Sequence, residues 1–185
     1  MKKHAIIITW SGFQDHEVVY PYYRLLGEGF KVNIIADQKD IKGRFYGILG
    51  LNMPCHVLIN DFCKNYNEWM NDTDLMILPG GVKSLEKLRL EKLVLKFINE
   101  WNSQKKIISS TCHGAQLLIS SKITKGKKIS GYYSLEDDII NSGAEYIDAP
   151  FVKDDNIITS PHYDHMGIWM EETIRAYYSN SEYNN

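Results

Sequence analysis

The chain has 185 residues, 44% of them hydrophobic and 24% charged, with a formal net charge of −2. A chain of this size buries roughly 70% of its unfolded surface, so it folds without disulfides or a structural metal. The near-neutral balance excludes a polybasic nucleic-acid or membrane-surface binder, and no run approaches the ~18 apolar residues of a membrane span.

Residues 4–9 follow two lysines with a short isoleucine-rich run, too brief for a signal-peptide core, and read as a buried first strand. Residues 16–28 place apolar groups at helical intervals, with Gly29 positioned to end the helix. Pro21 predicts a kink unless the helix starts there. Residues 31–36 make a second strand. Residues 37–60 have little helical periodicity and several glycines, which predicts a β-hairpin or extended excursion. Residues 74–79 form a third strand closed by Gly80-Gly81, and residues 85–102 an amphipathic helix with Leu85, Leu88, Leu93, Phe97 and Trp101 inward. Residues 106–111 are the fourth strand, ending at Cys112, and a helix follows from His113 to about residue 121. Residues 134–142 read as helix, 146–152 as extended, 156–159 as the last strand and 168–178 as a C-terminal helix.

No repeat, low-complexity segment or linker divides the chain, which predicts one domain over 1–178. The polar, aperiodic tail 179–185 is expected to fray. Alternating apolar strands and helices predict a mostly parallel sheet covered on both faces. Ligands bind such sheets beyond the carboxyl ends of the strands. That rule points to Gly80-Gly81, to Cys112-His113 and to the turn at 10–17.

Three cysteines, an odd number, exclude a disulfide framework and predict reduced, cytoplasmic thiols. Cys55 and Cys63 lack any CxxC spacing and read as incidental. Cys112 stands between a strand end and a helix start, where unpaired N–H groups and the helix dipole lower a thiol pKa. Gly114 permits a tight turn, and His113 offers a base or an orienting group. This is the physics of a nucleophile elbow with cysteine in place of serine.

Five collinear stretches, GFQDHEVVYPYYRL (12–25), DLMILPGG (74–81), STCHGAQLLIS (110–120), EDDIINSGAEYID (136–148) and NIITS (156–160), resemble the ThiJ/PfpI superfamily, most closely its PfpI-type intracellular peptidase branch. The resemblance implies an α/β, flavodoxin-like three-layer sandwich with a nucleophilic Cys112 and an acidic partner at Glu17. A buried carboxylic acid with a raised pKa would donate to the thiolate and hold it ionised; a first-turn helix glutamate is the simpler alternative for Glu17. The resemblance also implies an oxyanion hole from the backbone N–H groups of Gly81 and His113, with Gly80 and a pocket tyrosine at Tyr132 on the substrate side; a plain turn is the alternative for the glycine pair and ordinary packing for Tyr132. Glu86 matches an acid that reaches His113 from a neighbouring subunit, although one additional residue precedes it here. A solvated helix-surface glutamate is the competing account. Asp15 reads as an N-cap or turn residue.

After the last strand the family often reads Ser-Arg-x-Pro-x-Asp-Leu, whereas this chain has Ser160-Pro161-His162-Tyr163-Asp164-His165-Met166. His162 and Asp164 then read as a base with its orienting carboxylate, as pocket lining, or as a capped helix start. With His165 they resemble metal-ligand spacing but lack a fourth partner, so neither metal nor cofactor is expected. His16 either lines the pocket or is exposed. Tyr20, Tyr22, Tyr23, Trp101 and Trp169 read as core or subunit interface.

The functional expectation is a cysteine-dependent hydrolase or hydratase acting on a small carbonyl, amide or peptide substrate, in the manner of a PfpI-like peptidase or a glyoxalase/deglycase. The alternatives are a redox-sensing stress-response protein using Cys112 without turnover, or a glutaminase-like or isonitrile-hydratase-like enzyme. The expected partners are a small-molecule or peptide substrate and further copies of the chain, as a homodimer or larger homo-oligomer with the site near the interface.

Overall fold

Five apolar or weakly polar residues in succession suit a strand covered on both faces, and His4–Ile8 forms one as β1, buried throughout. Side chains alternate along it: Ala5 and Ile7 enter one core, Ile6 and Ile8 the other. The computed structural model describes residues 3–182. After β1 come α1 (Asp15–Gly27), β2 (Lys31–Ala36), β3 (Arg44–Tyr46), β4 (Asn52–Pro54), β5 (Val57–Leu58), α2 (Ile59–Lys64), α3 (Tyr66–Asp72), β6 (Leu75–Leu78), α4 (Val82–Leu88) and α5 (Lys92–Ser103). Then follow β7 (Ile107–Thr111), α6 (Ala115–Ser120), β8 (Lys128–Ile129), α7 (Glu136–Asn141), β9 (Glu145–Tyr146), β10 (Val152–Asp154), β11 (Ile157–Ser160) and α8 (Met166–Glu182).

The main sheet has strand order β10-β11-β7-β6-β1-β2-β5. Every pairing in it is parallel except β10 with β11. Ile6 is set against Asn33 on one side and Met76 on the other, and Leu78 against Ser110. The carboxyl ends of β1, β6, β7 and β11 therefore lie along one edge. Residues of α1 and α8 cover one face, with Val18, Leu25, Trp169 and Met170 buried there, while α2 to α7 cover the other around Phe62, Phe97 and Trp101. This is the expected three-layer α/β sandwich.

The sheet's two borders are short. β5 contributes two paired residues and β10 three. Beside β10 the Lys128 N–H donates to Asp154 at 2.8 Å and Lys127 pairs with the same carboxylate at 3.1 Å.

Several elements depart from the sequence reading. α1 runs through Pro21 as one helix, and Gly29, with φ +80°, lies just beyond its cap at Glu28. The stretch 37–60 does form a hairpin, β3 with β4, but β5 then joins the main sheet. The helix read over 85–102 is two helices. Continuing the phase of Leu85 and Leu88 would bury Lys92; the break resets it so that Val94, Phe97, Ile98 and Trp101 face inward and Lys92 stays out. Leu93, expected inward, is exposed for the same reason.

Helices α2 and α3 and the short β8 are absent from the sequence reading. The extended stretch 146–152 is only β9 and the start of β10. α8 continues to Glu182, beyond its expected end at residue 178; the last part of the tail, 183–185, lies outside the described residues. Among the described residues no helix is long and apolar enough to cross a membrane.

Candidate active site

β7 is buried along its length and ends at Thr111. The chain then turns through Cys112, whose φ of +55° lies in the left-handed region, a conformation costing a non-glycine residue of order 1–3 kcal/mol. A 3-10 turn over Cys112–Gly114 leads into α6. The sulfur is thereby aimed across the strand ends: Sγ lies 3.3 Å from Nδ1 of His113. The backbone N–H groups of His113 and Gly81 act on the same sulfur.

Glu17 reaches this point from the first turn of α1, fully buried. Its Oε2 accepts the Gly80 N–H at 2.6 Å, its carboxyl contacts the Cys112 thiol, and among the described residues Oε1 has no hydrogen-bond partner. Gly80 has to be glycine. A Cβ there would lie 2.6 Å from Glu17 Oε2, 2.8 Å from Cys112 Cβ and 2.9 Å from the His113 nitrogen. Gly81, at φ +113°, swings its N–H toward the sulfur with Gln14 and Phe13 backbone against its other side.

Burial governs the electrostatics. It raises Glu17 from the usual carboxylate range to about 7, against the Gly80 N–H and the Cys112 contact, which lower it. Burial also pushes the Cys112 thiol up, and the Glu17 charge adds to this, while the His113 and Gly81 N–H groups pull it down. The expectation of a thiol lowered by the helix terminus is therefore corrected: desolvation outweighs the two backbone N–H groups at a residue only 6% exposed. Burial lowers His113 too, which leaves its imidazole neutral and able to accept a proton at neutral pH.

Around this centre lies a string of rings. His113 stacks on Tyr132 at 4.6 Å between centroids, and the Tyr132 N–H donates to the Cys112 carbonyl at 3.2 Å. Tyr132 lies 6.0 Å from His162, His162 3.8 Å from Tyr163, and Tyr163 stacks on His16 at 5.0 Å. His162 faces Asp164 Oδ2 through Nδ1 at 3.1 Å, with the ring mostly covered and the carboxylate exposed. Cys112, His113, Glu17, Gly80, Gly81 and Tyr132 are thus brought together, with the His162–Asp164 pair reaching them through Tyr132.

His16 is exposed and lines a space that it shares with Tyr163. That is an apolar groove of about 650 Å³ shared with Tyr20, Tyr23, Arg24, Leu51 and Met166. Glu86 sits on the exposed side of α4 and, among the described residues, makes no hydrogen bond or ion pair to His113. Asp15 is no cap. It is buried, and accepts the Leu49 and Leu51 N–H groups at 2.8 Å each. Sequence reasoning missed Tyr133 and Tyr163, which pack on His162; the adjacent pairs Tyr132-Tyr133 and His162-Tyr163 were the available signal. Cys55 and Cys63 are free thiols, and among the described residues no three His, Cys, Asp or Glu side chains converge as a metal site requires.

The model of the DJ-1/PfpI family matches residues 2–176. The chain is 32% identical to Deglycase PfpI of Pyrococcus furiosus over 170 residues, covering 92% of this chain and 96% of the relative. It is 32% identical to Deglycase PH1704 of Pyrococcus horikoshii over 171 residues, covering 92% and 97%. The DJ-1 structure from Schizosaccharomyces pombe superposes with a TM-score of 0.81 at 17% identity, covering 96% of this chain and 97% of that one, a likeness of fold. The protein whose elbow carries Cys112 belongs to the DJ-1/PfpI family.

Proposed function

We propose that the chain is a cysteine-dependent hydrolase or hydratase whose nucleophile is Cys112 and whose substrates are small α-oxoaldehydes or their adducts with amines. The observation that carries this reading is the left-handed turn at Cys112. It aims the sulfur at a neutral imidazole 3.3 Å away, with two backbone N–H groups and a buried acid beside it. The deglycase names of the two archaeal relatives support the substrate class.

In this reading Sγ bonds to the aldehyde carbon while the thiol proton passes to His113 Nδ1. The carbonyl π pair becomes an oxyanion held by the Gly81 and His113 N–H groups, and reprotonation gives a hemithioacetal. The C–H proton of that carbon passes to the neighbouring carbonyl carbon and its hydroxyl proton to the neighbouring oxygen, leaving a thioester; attack of water on this releases a 2-hydroxy acid and returns the Cys112 thiol. One carbon is oxidised and its neighbour reduced, so only water is consumed. Glu17, protonated up to about pH 7, acts as donor early and as base once ionised.

Turnover of methylglyoxal and of a glycated amino acid tests it. Cys112→Ala is expected to abolish turnover, and Glu17→Gln to lower kcat/KM by about 10²–10⁴ with KM little changed. Equal rates in wild type and Cys112→Ala overturn the proposal. A second reading, a redox sensor in which peroxide converts the thiol to sulfenic acid with release of water, draws on the Glu17 contact with the sulfur. Peroxide consumption at Cys112 without aldehyde turnover favours it. We further propose a homodimer or larger homo-oligomer assembled on the groove face of α1 and the β3–β4 hairpin, where Tyr20, Tyr23, Ile48, Leu49 and Leu51 are exposed.

A further inference from the structure

A second cavity, of about 250 Å³, lies where the end of α4 meets α6 and α7, lined by Arg89, Gln116, Ile119, Asp138, Asn141 and Ser142 and not by Cys112. Five of these six side chains are polar, which separates this cavity in kind from the apolar groove on α1. Among the described residues Arg89 commits only its Nε, donating to Ser120 Oγ at 3.1 Å, which leaves its two terminal nitrogens available. Asp138 carries the opposite charge on the same cavity, yet among the described residues no ion pair joins it to Arg89. Two unlike charges facing one small space without meeting leave a gap between them. Gln116 adds a buried Oε1 with no hydrogen-bond partner among the described residues, an acceptor left unsatisfied at a cost comparable to a lost hydrogen bond.

We propose that this cavity binds a small zwitterion of the α-amino-acid class. Its carboxylate takes the Arg89 fork, and its ammonium group takes the Asp138 carboxylate and, after rotation about the broad terminal torsion of Gln116, the Oε1 atom. The volume, equal to roughly eight waters at about 30 Å³ each, suits an amino acid with a short side chain, which would lie against Ile119. A simple anion leaves Asp138 unanswered and a simple amine leaves Arg89 so, which makes the ligand's double charge the discriminating property. The site stands apart from the chemistry at Cys112 and does not depend on it.

Titration calorimetry of the full chain with L-alanine or L-serine, set against propionate and ethylamine, tests the inference. Saturable binding of the amino acids at about millimolar Kd is expected, with each single-charge analogue at least about tenfold weaker. Arg89→Met and Asp138→Asn are each expected to weaken amino-acid binding about tenfold or more, Arg89→Lys by less, because an ammonium group keeps the charge and loses the fork. Unchanged melting temperature and unchanged alkylation of Cys112 in these variants show that the fold and the elbow are intact. No saturable heat with either amino acid, equal binding of propionate, or undiminished binding in correctly folded Arg89→Met overturns the proposal. A change of sedimentation coefficient in Arg89→Met also overturns it, since the cavity would then be a contact between copies.

Discussion

Glu17 retains its proton in the folded chain up to about pH 7 because the carboxyl sits fully buried between Gly80 and Cys112. An unfolded glutamate ionises near 4.5, so between about pH 4.5 and 7 the folded state holds the extra proton and stability falls as pH rises. Below 4.5 both states are protonated and the effect vanishes; above about 7 it levels off at a cost of order 3 kcal/mol. Glu17→Gln keeps an acceptor for the Gly80 N–H and removes the ionisation. Its melting temperature is therefore expected to exceed wild type by several degrees at pH 8 and to match it near pH 4, measured by calorimetric scans across pH. A gain independent of pH would contradict the burial account. His113 and Gly114 at the elbow were legible in the sequence because strand, turn and helix follow one another at Cys112, whereas the roles of Glu17 and Gly81, which come from other elements, were indicated only by the family resemblance. The direction of the thiol shift was not legible, since it depends on how deeply other elements bury the sulfur.

At the scale of elements, the Asp15 side chain of α1 fastens the loop of the β3–β4 hairpin, beside the backbone hydrogen bonds of Gly12 to Tyr46 and of Ile48 to Phe13. Asp15 accepts two N–H groups of the hairpin loop, and Gly47 passes so close that a Cβ there would strike the carboxylate. Asp15→Ala is expected to cost about 2–4 kcal/mol, since hydrogen bonds to a charged acceptor contribute about 1.5–3 kcal/mol each and water restores part of the loss. Hydrogen exchange at the Leu49 and Leu51 amides should accelerate while that in β6 and β7 keeps its protection; unaltered exchange at those two amides would refute the fastening. The parallel strands were readable because each is an unbroken apolar run. The pair α2–α3 was not: the segment from Ile59 to Asp72 is interrupted by Asn and Asp, and its helices of six and seven residues draw their stability from packing Phe62 and Met70 into the core. The split between α4 and α5 escaped notice because leucines occur on both sides of it, and only the burial of Val94 in place of Leu93 reveals the change of phase.

For the whole molecule, the proposed assembly face combines a concave part and a projecting part on one side of the chain. The groove is lined by Tyr20, Tyr23 and Leu51, and Ile48 and Leu49 stand exposed at the hairpin tip. A two-fold contact needs such self-complementarity on a single face. Sedimentation at micromolar concentration is expected to give a dimer or larger species, and the pair Tyr23→Glu with Leu49→Asp a monomer with an unchanged circular dichroism spectrum. A wild-type monomer under those conditions would remove the proposed interface.

The narrow borders of the sheet bear on whether its apolar central strands can be reached by another chain. Its central strands are runs such as Ala5 to Ile8 and Leu75 to Leu78, segments that would stack readily into cross-β fibres if presented at an open margin. They are never presented. One margin ends in the two residues of β5, directly continued by α2, and the other in β10, which runs against its neighbour and carries Lys127 and Lys128 along its outer flank. A foreign strand meets too few open N–H and C=O groups at either side, and charge at one of them, so fibre templating is resisted by the same topology that lines up the strand ends at Cys112.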